Sequence, residues 1–251
     1  MDQTQPAFDH VHPSHHGPNS VHMTRVEVAR MILDAGRRRV LDLPCGSGAL
    51  TRMLLDGGVE VVSADLNPEA LVIPGRKCVP ADLNKKLPFD EAEFDALACI
   101  EGIEHIENPH LLAREAYRIL KPGGRLYVST PNVLSIRSRF SYLLRGYPNQ
   151  FHYMIEIDPL TDLEQPVAHI NPIGFLELRH TLTRWGFHMA QVRTNRYVKR
   201  WSPLYQLVRL LLRSKGRRAA AAHPRVSQVR KALLSDTLLF GEALILEAIK
   251  S

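Results

Sequence analysis

The fold of this chain is decided by one stretch, Val40-Leu41-Asp42-Leu43-Pro44-Cys45-Gly46-Ser47-Gly48. Its apolar first half predicts a buried strand, and the glycines after it predict a sharp turn into a helix over 49–55. Glycine is favoured where the backbone turns tightly and where a ligand must approach without a Cβ in the way. The stretch therefore predicts a ligand-binding loop between a buried strand and a helix.

On both sides of this loop, apolar runs alternate with helical patterns. Strands are predicted at 39–43, 59–64, 77–80, 94–100, 124–130, 188–198 and 242–249, and helices at 21–35, 49–55, 68–73, 109–120 and 173–185. A repeated strand–helix order with continuous apolar strands is typical of a mainly parallel sheet with helices on both faces. We therefore predict an α/β, Rossmann-like fold with a seven-stranded sheet, whose ligands bind at the carboxyl ends of the strands.

Three segments do not fit the alternating pattern. Residues 1–20 are polar and lack apolar periodicity, which predicts a mobile tail ahead of one domain over 21–251. Residues 131–172 mix aromatic residues with prolines and predict a lid insertion after the fifth strand. Residues 199–238 predict a basic helical insertion before the last strand.

The composition excludes several classes of protein. With 45% hydrophobic and 23% charged residues, the chain is neither wholly disordered nor collagen-like. No apolar run reaches the roughly 18 to 20 residues that cross a bilayer, so we expect a cytoplasmic protein that is not integral to a membrane. Cys45, Cys78 and Cys99 stand singly, without CxxC spacing or an apolar leader, and predict neither disulfides nor a cysteine-ligated zinc site.

Two further motifs follow strand ends. Asp65 ends the second predicted strand, where a carboxylate can accept both hydroxyls of a ribose. The third predicted strand is followed by Ala81-Asp82-Leu83, which suits the edge and the face of an adenine. A GxG motif alone is weak evidence, but the three motifs in this order are specific.

Together the three motifs resemble those of the class I S-adenosylmethionine-dependent methyltransferases, over roughly 21–130 and the final strand. The resemblance implies S-adenosylmethionine as the cofactor. It implies a cofactor site at Asp42, Pro44, Cys45, Gly46, Gly48, Asp65, Leu66, Asp82, Leu83 and Ile100. Pro44 departs from the family, which usually has glycine or alanine there, and makes the turn stiffer. A dinucleotide-binding dehydrogenase would instead need a third glycine at the helix start, where this chain has Leu50 and Thr51.

A candidate metal site follows the fourth predicted strand, in Glu101-Gly102-Ile103-Glu104-His105. Spacings of three and four predict Glu101, Glu104 and His105 on one side of a helical turn. Two carboxylates and an imidazole suit a divalent cation such as Mg²⁺, Mn²⁺ or Zn²⁺. The pattern resembles that of metal-using ubiquinone-pathway O-methyltransferases and of small-RNA 3′-terminal 2′-O-methyltransferases, and in the latter a further histidine completes the site. By that resemblance His169 is the fourth ligand.

The alternative is that no metal binds and that the two glutamates cap or solvate a loop. His105 and His169 are then the candidate general bases, because histidine titrates near neutral pH, and Glu101 is the third catalytic candidate.

The acceptor is predicted from a less specific motif. Ser129-Thr130-Pro131-Asn132, with Arg137, Arg139 and Phe140, resembles a branch of bacterial methyltransferases that act on sugars, surface polysaccharides and lipid-linked precursors. We therefore expect a glycan or lipid-linked hydroxyl first, a quinone-precursor phenol second and an RNA 2′-hydroxyl third. A protein of another class, a cofactor-binding scaffold without catalysis, is the remaining alternative.

The basic insertion predicts an anionic partner. Between Arg193 and Lys231 there are twelve Lys or Arg residues and no Asp or Glu. Apolar residues follow helical spacing after Trp201. Residues 199–231 could lie at an anionic membrane surface, on the inner face of the membrane; they could pack on the sheet beside a solvated linker; or they could bind RNA. The sequence leaves the oligomeric state open.

Overall fold

A computed structural model describes residues 18–151, 156–157, 164–165, 169–214 and 223–251. These residues are organised around a seven-stranded sheet. Its strands are β1 Arg39–Asp42, β2 Glu60–Asp65, β3 Cys78–Pro80, β4 Phe94–Cys99, β5 Leu120–Pro131, β8 Phe187–Arg193 and β9 Ala243–Lys250. A two-stranded antiparallel pair, β6 Glu156–Ile157 and β7 Glu164–Gln165, lies outside this sheet.

One helix precedes these strands and the others lie between them in the chain. The helices are α1 Pro18–Asp34, α2 Ala49–Asp56, α3 Pro109–Ile119, α4 Ile136–Arg145, α5 Phe175–Arg184, α6 Pro203–Ser214, α7 Pro224–Leu233 and α8 Asp236–Phe240. Single 3₁₀ turns form at Pro68–Ala70 and Ile103–His105. Helix α3 shows why these residues form a helix. The Asn108 side chain accepts the Leu111 N–H at its start, and Pro109 occupies the first turn. One side of the helix is buried through Leu112, Ala116 and Ile119.

The strand order is β3-β2-β1-β4-β5-β9-β8. Strands β1 to β5 run parallel, and β9 is antiparallel to both of its neighbours. The chain order reverses between β1 and β4, so their carboxyl ends open into a crevice of the kind where α/β sheets bind ligands. The predicted Rossmann-like, seven-stranded α/β fold is confirmed.

The sheet is buried on both faces. Val40 and Leu41, neighbours in β1, point to opposite sides, yet both are fully buried. Leu41 packs in the core beneath α3 and α5, and Val40 packs in the core beneath α1 and α2. Two buried faces explain why the strands are continuous apolar runs rather than alternating patterns.

Two sequence predictions of local structure are wrong. The helix predicted over 68–73 is only the turn Pro68–Ala70, because the chain is already extended at Leu71. The strand predicted over 188–198 ends at Arg193. Within the predicted lid, helix α4 is capped at its start by Ser135, whose hydroxyl accepts the Ser138 N–H, and at its end by Gly146 in the left-handed conformation. Residues 152–155, 158–163 and 166–168 of that lid lie outside the described part of the chain.

The other two segments are described in part. The predicted tail lies outside the described residues up to 17, but 18–20 already belong to α1, where the Ser20 hydroxyl donates to Glu242 Oε2 at 2.6 Å. The basic insertion contains α6 and α7, and its residues 215–222 are not described. The insertion leaves and rejoins the sheet at neighbouring points, because the Val198 N–H donates to the Phe240 carbonyl at 2.7 Å. None of the described helices is long and apolar enough to cross a membrane.

Candidate active site

The first component of the site is the carboxyl group of Asp42 at the end of β1. Asp42 is buried, and the Thr51 hydroxyl of α2 donates to its Oδ2 at 2.7 Å. Burial raises the pKa of Asp42 to about 6, and the hydrogen bonds from Thr51 limit the rise. The loop thus contains a carboxyl group whose charge is sensitive to what binds beside it.

The two loop glycines are needed for different reasons. Gly48 has φ +87°, and a Cβ there would lie 2.5 Å from Leu71 Cδ1, so packing and backbone both exclude a side chain. Gly46 has φ +50°, but a Cβ there would meet nothing within 4 Å. The space in front of Gly46 is therefore open to a ligand. Beside the loop, the Pro44 ring packs against Gly102, and Cys45 Sγ lies 3.6 Å from Cys78 Sγ.

Asp65 is held against the loop by backbone donors. The Gly46 N–H donates to its Oδ2 at 2.8 Å, and the Asn67 N–H donates to its Oδ1 at 3.0 Å. Each carboxylate oxygen can accept a second hydrogen bond, so the oriented group keeps acceptor capacity for a ligand. The next residue, Leu66, is exposed beside it.

Asp82 and Leu83, predicted to contact adenine, lie after β3, and Ile100, predicted as a cofactor residue, follows β4. Asp82 accepts the Asn84 N–H at 2.8 Å and forms an ion pair with Lys85 Nζ at 3.1 Å, so a ligand donor would compete with an exposed lysine. The side chains of Leu83 and Ile100 belong to the two cores and are buried. These two residues therefore offer a ligand mainly backbone atoms.

Glu101 follows β4 in a strained conformation. Its φ is +51°, which is uncommon for a residue with a Cβ, and such strain tends to occur at functional sites. It lies outside the 3₁₀ turn formed by Ile103–His105, so the predicted single helical turn carrying all three side chains is wrong. Ser129, at the end of the adjacent strand β5, donates its hydroxyl proton to Glu101 Oε1 at 2.6 Å.

Glu104 is fully buried, and no donor among the described residues hydrogen-bonds to either of its carboxylate oxygens. Burial, followed by the negative charge of Glu101, raises the pKa of Glu104 well above its ordinary range. A buried carboxyl group without a donor is costly unless a proton or a cation compensates it.

Two histidines complete the cluster. The His105 and His169 rings are 4.7 Å apart between centroids, and the Nδ1 atom of His169 is 3.2 Å from the Gln150 carbonyl oxygen. Because a carbonyl oxygen only accepts, Nδ1 carries the proton in this contact and Nε2 is the basic atom. The Ile170 and Asn171 N–H groups donate to the Glu104 carbonyl at 2.9 and 3.0 Å, which fixes the His169 loop to the 103–106 turn.

The cluster fits a divalent cation. One donor atom from each of Glu104, His105 and His169 lies within 4.8 Å of the others, and two imidazoles with a carboxylate suit a transition metal or zinc. The orphaned oxygens of Glu104 are what such an ion would satisfy. Glu101, also predicted as a ligand, is not part of this group and lies next to Glu104 instead.

Sequence reasoning missed two residues that support the cluster. Ser129 was assigned to an acceptor motif, although a polar residue at the end of a buried strand beside β4 could have indicated its contact with Glu101. Gln150, whose carbonyl accepts from His169, acts through its backbone and left no signal in the sequence.

The acceptor motif is explained by structure. The Asn132 side chain is buried and donates to the carbonyl oxygens of Leu238 at 3.1 Å and Gly241 at 2.9 Å. Arg139 donates from Nε to the Leu134 carbonyl, and burial lowers its pKa. These residues join β5 and α4 to the last elements of the chain, so their presence says little about the acceptor.

Comparisons with known proteins agree with this geometry. Residues 41–128 match a family described as a methyltransferase domain. A ubiquinone biosynthesis O-methyltransferase of Xanthomonas oryzae pv. oryzae strain PXO99A is 32% identical over 123 residues, 45% of this chain and 52% of that protein. A ubiquinone biosynthesis O-methyltransferase of Xylella fastidiosa strain M23 is 29% identical over 195 residues, 72% of this chain and 75% of that protein.

A solved structure agrees as well. The crystal structure of a SAM-dependent methyltransferase from Archaeoglobus fulgidus has a TM-score of 0.59 at 17% identity, covering 92% of this chain and 95% of that one. Residues 41–128 thus carry a methyltransferase domain, and the described fold is shared with a solved SAM-dependent methyltransferase. The chain spans about half the length of the Xanthomonas protein.

Proposed function

We propose that this chain transfers the methyl group of S-adenosylmethionine to a hydroxyl oxygen. One observation carries the proposal: the buried carboxyl of Glu104 and the imidazoles of His105 and His169 gather just after β4, at the sheet edge that also holds the glycine loop. A base or cation site next to a methyl donor is what a hydroxyl acceptor requires, because the acceptor must lose a proton.

The donor lies over the glycine loop in this proposal. Its methionine part contacts Asp42, Pro44, Cys45, Gly46 and Gly48; its ribose binds Asp65 and Leu66; its adenine contacts Asp82, Leu83 and Ile100. The open space at Gly46 and the oriented carboxylate of Asp65 support this placement. Lys85 gives up its ion pair with Asp82 when adenine binds.

The reaction is an in-line displacement. The acceptor oxygen forms a bond to the methyl carbon while the carbon–sulfur bond breaks, its electron pair stays on sulfur, and the hydroxyl proton goes to an imidazole. The sulfonium already activates the methyl group, so the chain mainly aligns the reactants and removes the proton. We assign the proton to His105, whose side chain is exposed and can be reached by an acceptor.

A metal-assisted version uses the same residues. Glu104, His105 and His169 would hold a divalent cation such as Mg²⁺, Mn²⁺ or Zn²⁺. When bound, such a cation lowers the pKa of the acceptor hydroxyl as a Lewis acid. His105 is then a ligand, and Glu101 positions Glu104.

The acceptor we now favour is a phenolic quinone precursor. The relatives named above are ubiquinone biosynthesis O-methyltransferases, and this supports a phenol over the glycan or lipid-linked hydroxyl that the sequence motif suggested. The glycan, the RNA 2′-hydroxyl and the non-catalytic scaffold become outcomes of the acceptor test.

Calorimetry on Asp65→Ala tests the donor site. A lost charge-assisted hydrogen bond costs roughly 1.5–3 kcal/mol, so S-adenosylmethionine affinity should fall about 10- to 100-fold. Asp34→Ala, at an exposed ion pair of α1, is the control and should leave affinity unchanged. Equal affinity in both variants contradicts the placement, and tighter binding of a nicotinamide dinucleotide contradicts the donor.

Chelation distinguishes the two versions of the mechanism. In the metal-assisted version a strong chelator abolishes transfer, added Mn²⁺, Zn²⁺ or Mg²⁺ restores it, and elemental analysis finds an ion that Glu104→Gln loses. Full activity of the metal-free chain in chelator supports His105 alone as the base.

Labelled S-adenosylmethionine tests the acceptor. We expect label to pass to the oxygen of a water-soluble catechol, and the product is identified by mass spectrometry. Transfer to a lipid-linked sugar or to a short RNA instead moves the glycan or the RNA reading to first place. Cofactor binding without transfer to any of them supports the scaffold.

A further inference from the structure

Helices α4 and α6 expose an apolar surface that the proposed chemistry does not use. We call it the α4–α6 face, and it consists of Leu143, Leu144, Trp201, Leu204, Leu207 and Leu211. Leu143 and Leu144 are each 77% exposed, and Trp201 is 81% exposed. Single exposed apolar residues are normal, but several large ones on two helices that pack together, with a tryptophan just before the second, indicate an interaction site.

The two helices adjoin through their inner sides. The Phe140 and Tyr205 rings stack at 6.0 Å, in a cluster with Leu239 and Phe240. Val208 packs against this cluster one turn after Tyr205. Leu204, Leu207 and Leu211 repeat at intervals of three and four on the adjacent side of α6 and stay exposed.

The surroundings of the face are basic. Neither α4 nor α6 contains an acidic residue, while α4 exposes Arg137 and Arg145. The stretch from Arg193 to Lys231 has no Asp or Glu. Asp236 meets this region from α8, where it pairs with the guanidinium groups of Arg200 and Arg209.

We propose that the α4–α6 face binds an anionic lipid bilayer. Leucines at the centre would enter the interface between headgroups and acyl chains, a tryptophan would lie at headgroup level, and arginines would contact the phosphates. A second copy on this face would bring two basic rims together, and like charges repel. RNA would leave the leucines in water, because base and phosphate contacts use aromatic and cationic groups.

The face is connected to the candidate active site. Ser138 Oγ of α4 accepts the Asn149 N–H at 3.1 Å, and the next residue, Gln150, accepts from His169. The segment after α4 therefore links the α4–α6 face to the histidine cluster. If the proposed function holds, this surface delivers an acceptor with a lipid tail to the site without its leaving the bilayer.

Vesicle sedimentation of the full chain tests the proposal. We expect binding to phosphatidylcholine vesicles that contain phosphatidylglycerol, little binding to phosphatidylcholine alone, and a steep loss of binding with salt. Leu207→Glu should lower vesicle affinity at least tenfold. Leu176→Glu, an equally charged change at an exposed leucine of α5, is the matched control and should bind as the unchanged chain does. Leu143→Glu, in α4, should lower vesicle affinity in the same way as Leu207→Glu.

Three results would overturn the proposal. They are no binding to anionic vesicles at low salt, equal binding of the Leu207→Glu and Leu176→Glu chains, and a dimer in sedimentation equilibrium that Leu207→Glu dissociates without any vesicle binding. Cofactor affinity and transfer to a soluble catechol should be unchanged in all three variants. Those two measurements separate a failure of this surface from a failure of the proposed methyl transfer.

Discussion

Two hydrogen bonds join Ser129, near the end of β5, to Glu101, which follows the adjacent strand β4. The Glu101 N–H donates to Ser129 Oγ at 3.0 Å, and the Ser129 hydroxyl donates to Glu101 Oε1 at 2.6 Å. The pair holds Glu101 in its left-handed conformation and directs its carboxylate to the neighbourhood of Glu104. One serine thus connects β5 to the candidate active site.

Replacing this serine should impair transfer more than cofactor binding. Ser129→Ala leaves the Glu101 N–H and one carboxylate oxygen without this partner, and we expect kcat to fall about tenfold or more with a shifted pH profile. The cofactor Kd should change little. Thr130→Val is the matched control, because the buried Thr130 hydroxyl has no partner among the described residues. If kcat and its pH profile were the same in Ser129→Ala and Thr130→Val, Ser129 would have no role in positioning Glu101 for the reaction.

The space in front of Gly46 gives a second prediction. Gly46→Ala meets no atom of the chain, so it should cost only about 1–2 kcal/mol of backbone strain, yet its methyl group enters the volume assigned to the cofactor. We expect S-adenosylmethionine affinity to fall more than tenfold. Gly58→Ala has a similar φ of +78° and equally open surroundings, away from the loop, and should keep full affinity. A Gly46→Ala chain that binds normally would argue against the placement.

Cofactor affinity should depend on pH through Asp42. Its pKa of about 6 means that only about a tenth of the chains carry this charge near pH 5. The ammonium and sulfonium groups of the cofactor favour the ionised form, so affinity should rise roughly tenfold from about pH 5 to about pH 7. Calorimetry should show a smaller rise for Asp42→Asn, and an equal rise in both chains would assign the titration elsewhere.

The same group affects the stability of the unliganded chain. The pKa of Asp42 is higher in the folded chain than its ordinary value of 3.8, so the protonated carboxyl favours folding. This contribution is fully present below about pH 4 and is lost as the pH rises through about 6. Melting temperatures measured across this range should fall more in the unchanged chain than in Asp42→Asn.

Asn132→Ala should destabilise the fold. The change removes donors to two carbonyl oxygens and an acceptor for the Leu134 N–H, all in or near the core, at a cost of about 2–4 kcal/mol. Denaturant unfolding measures the loss. Asn108→Ala removes only the cap of α3 and should cost about 1 kcal/mol. If Asn132→Ala is as stable as Asn108→Ala, the connection between β5 and α8 matters less than the contacts indicate.

The sequence predicted structure best where the position of a segment in the fold leaves a pattern in its own residues. Strands buried on both faces leave apolar runs, and the glycine loop leaves residues that only a tight turn requires, so the seven-stranded sheet and the loop were predictable. Helix α4 was missed because aromatic residues and prolines around it concealed a serine cap and a terminal glycine.

The cluster after β4 was predicted in composition but not in arrangement. Spacing alone assumed a regular helical turn, whereas Glu101 has a left-handed backbone, lies before that turn and neighbours Glu104 without joining the group that Glu104 forms with His105 and His169. That strain is stabilised by Ser129, which is distant in sequence, so a reading of local periodicity could not find it.

The hydrogen bond from the Val198 N–H to the Phe240 carbonyl brings the two ends of the basic insertion together. The insertion starts and ends at adjoining points, and the entropic cost of closing a loop grows only slowly with its length. Lengthening or shortening the insertion should therefore change stability little and leave the register of β8 and β9 intact. Evolution, or an engineer, could therefore exchange this appendage for another and redirect the same catalytic sheet to a different cellular surface.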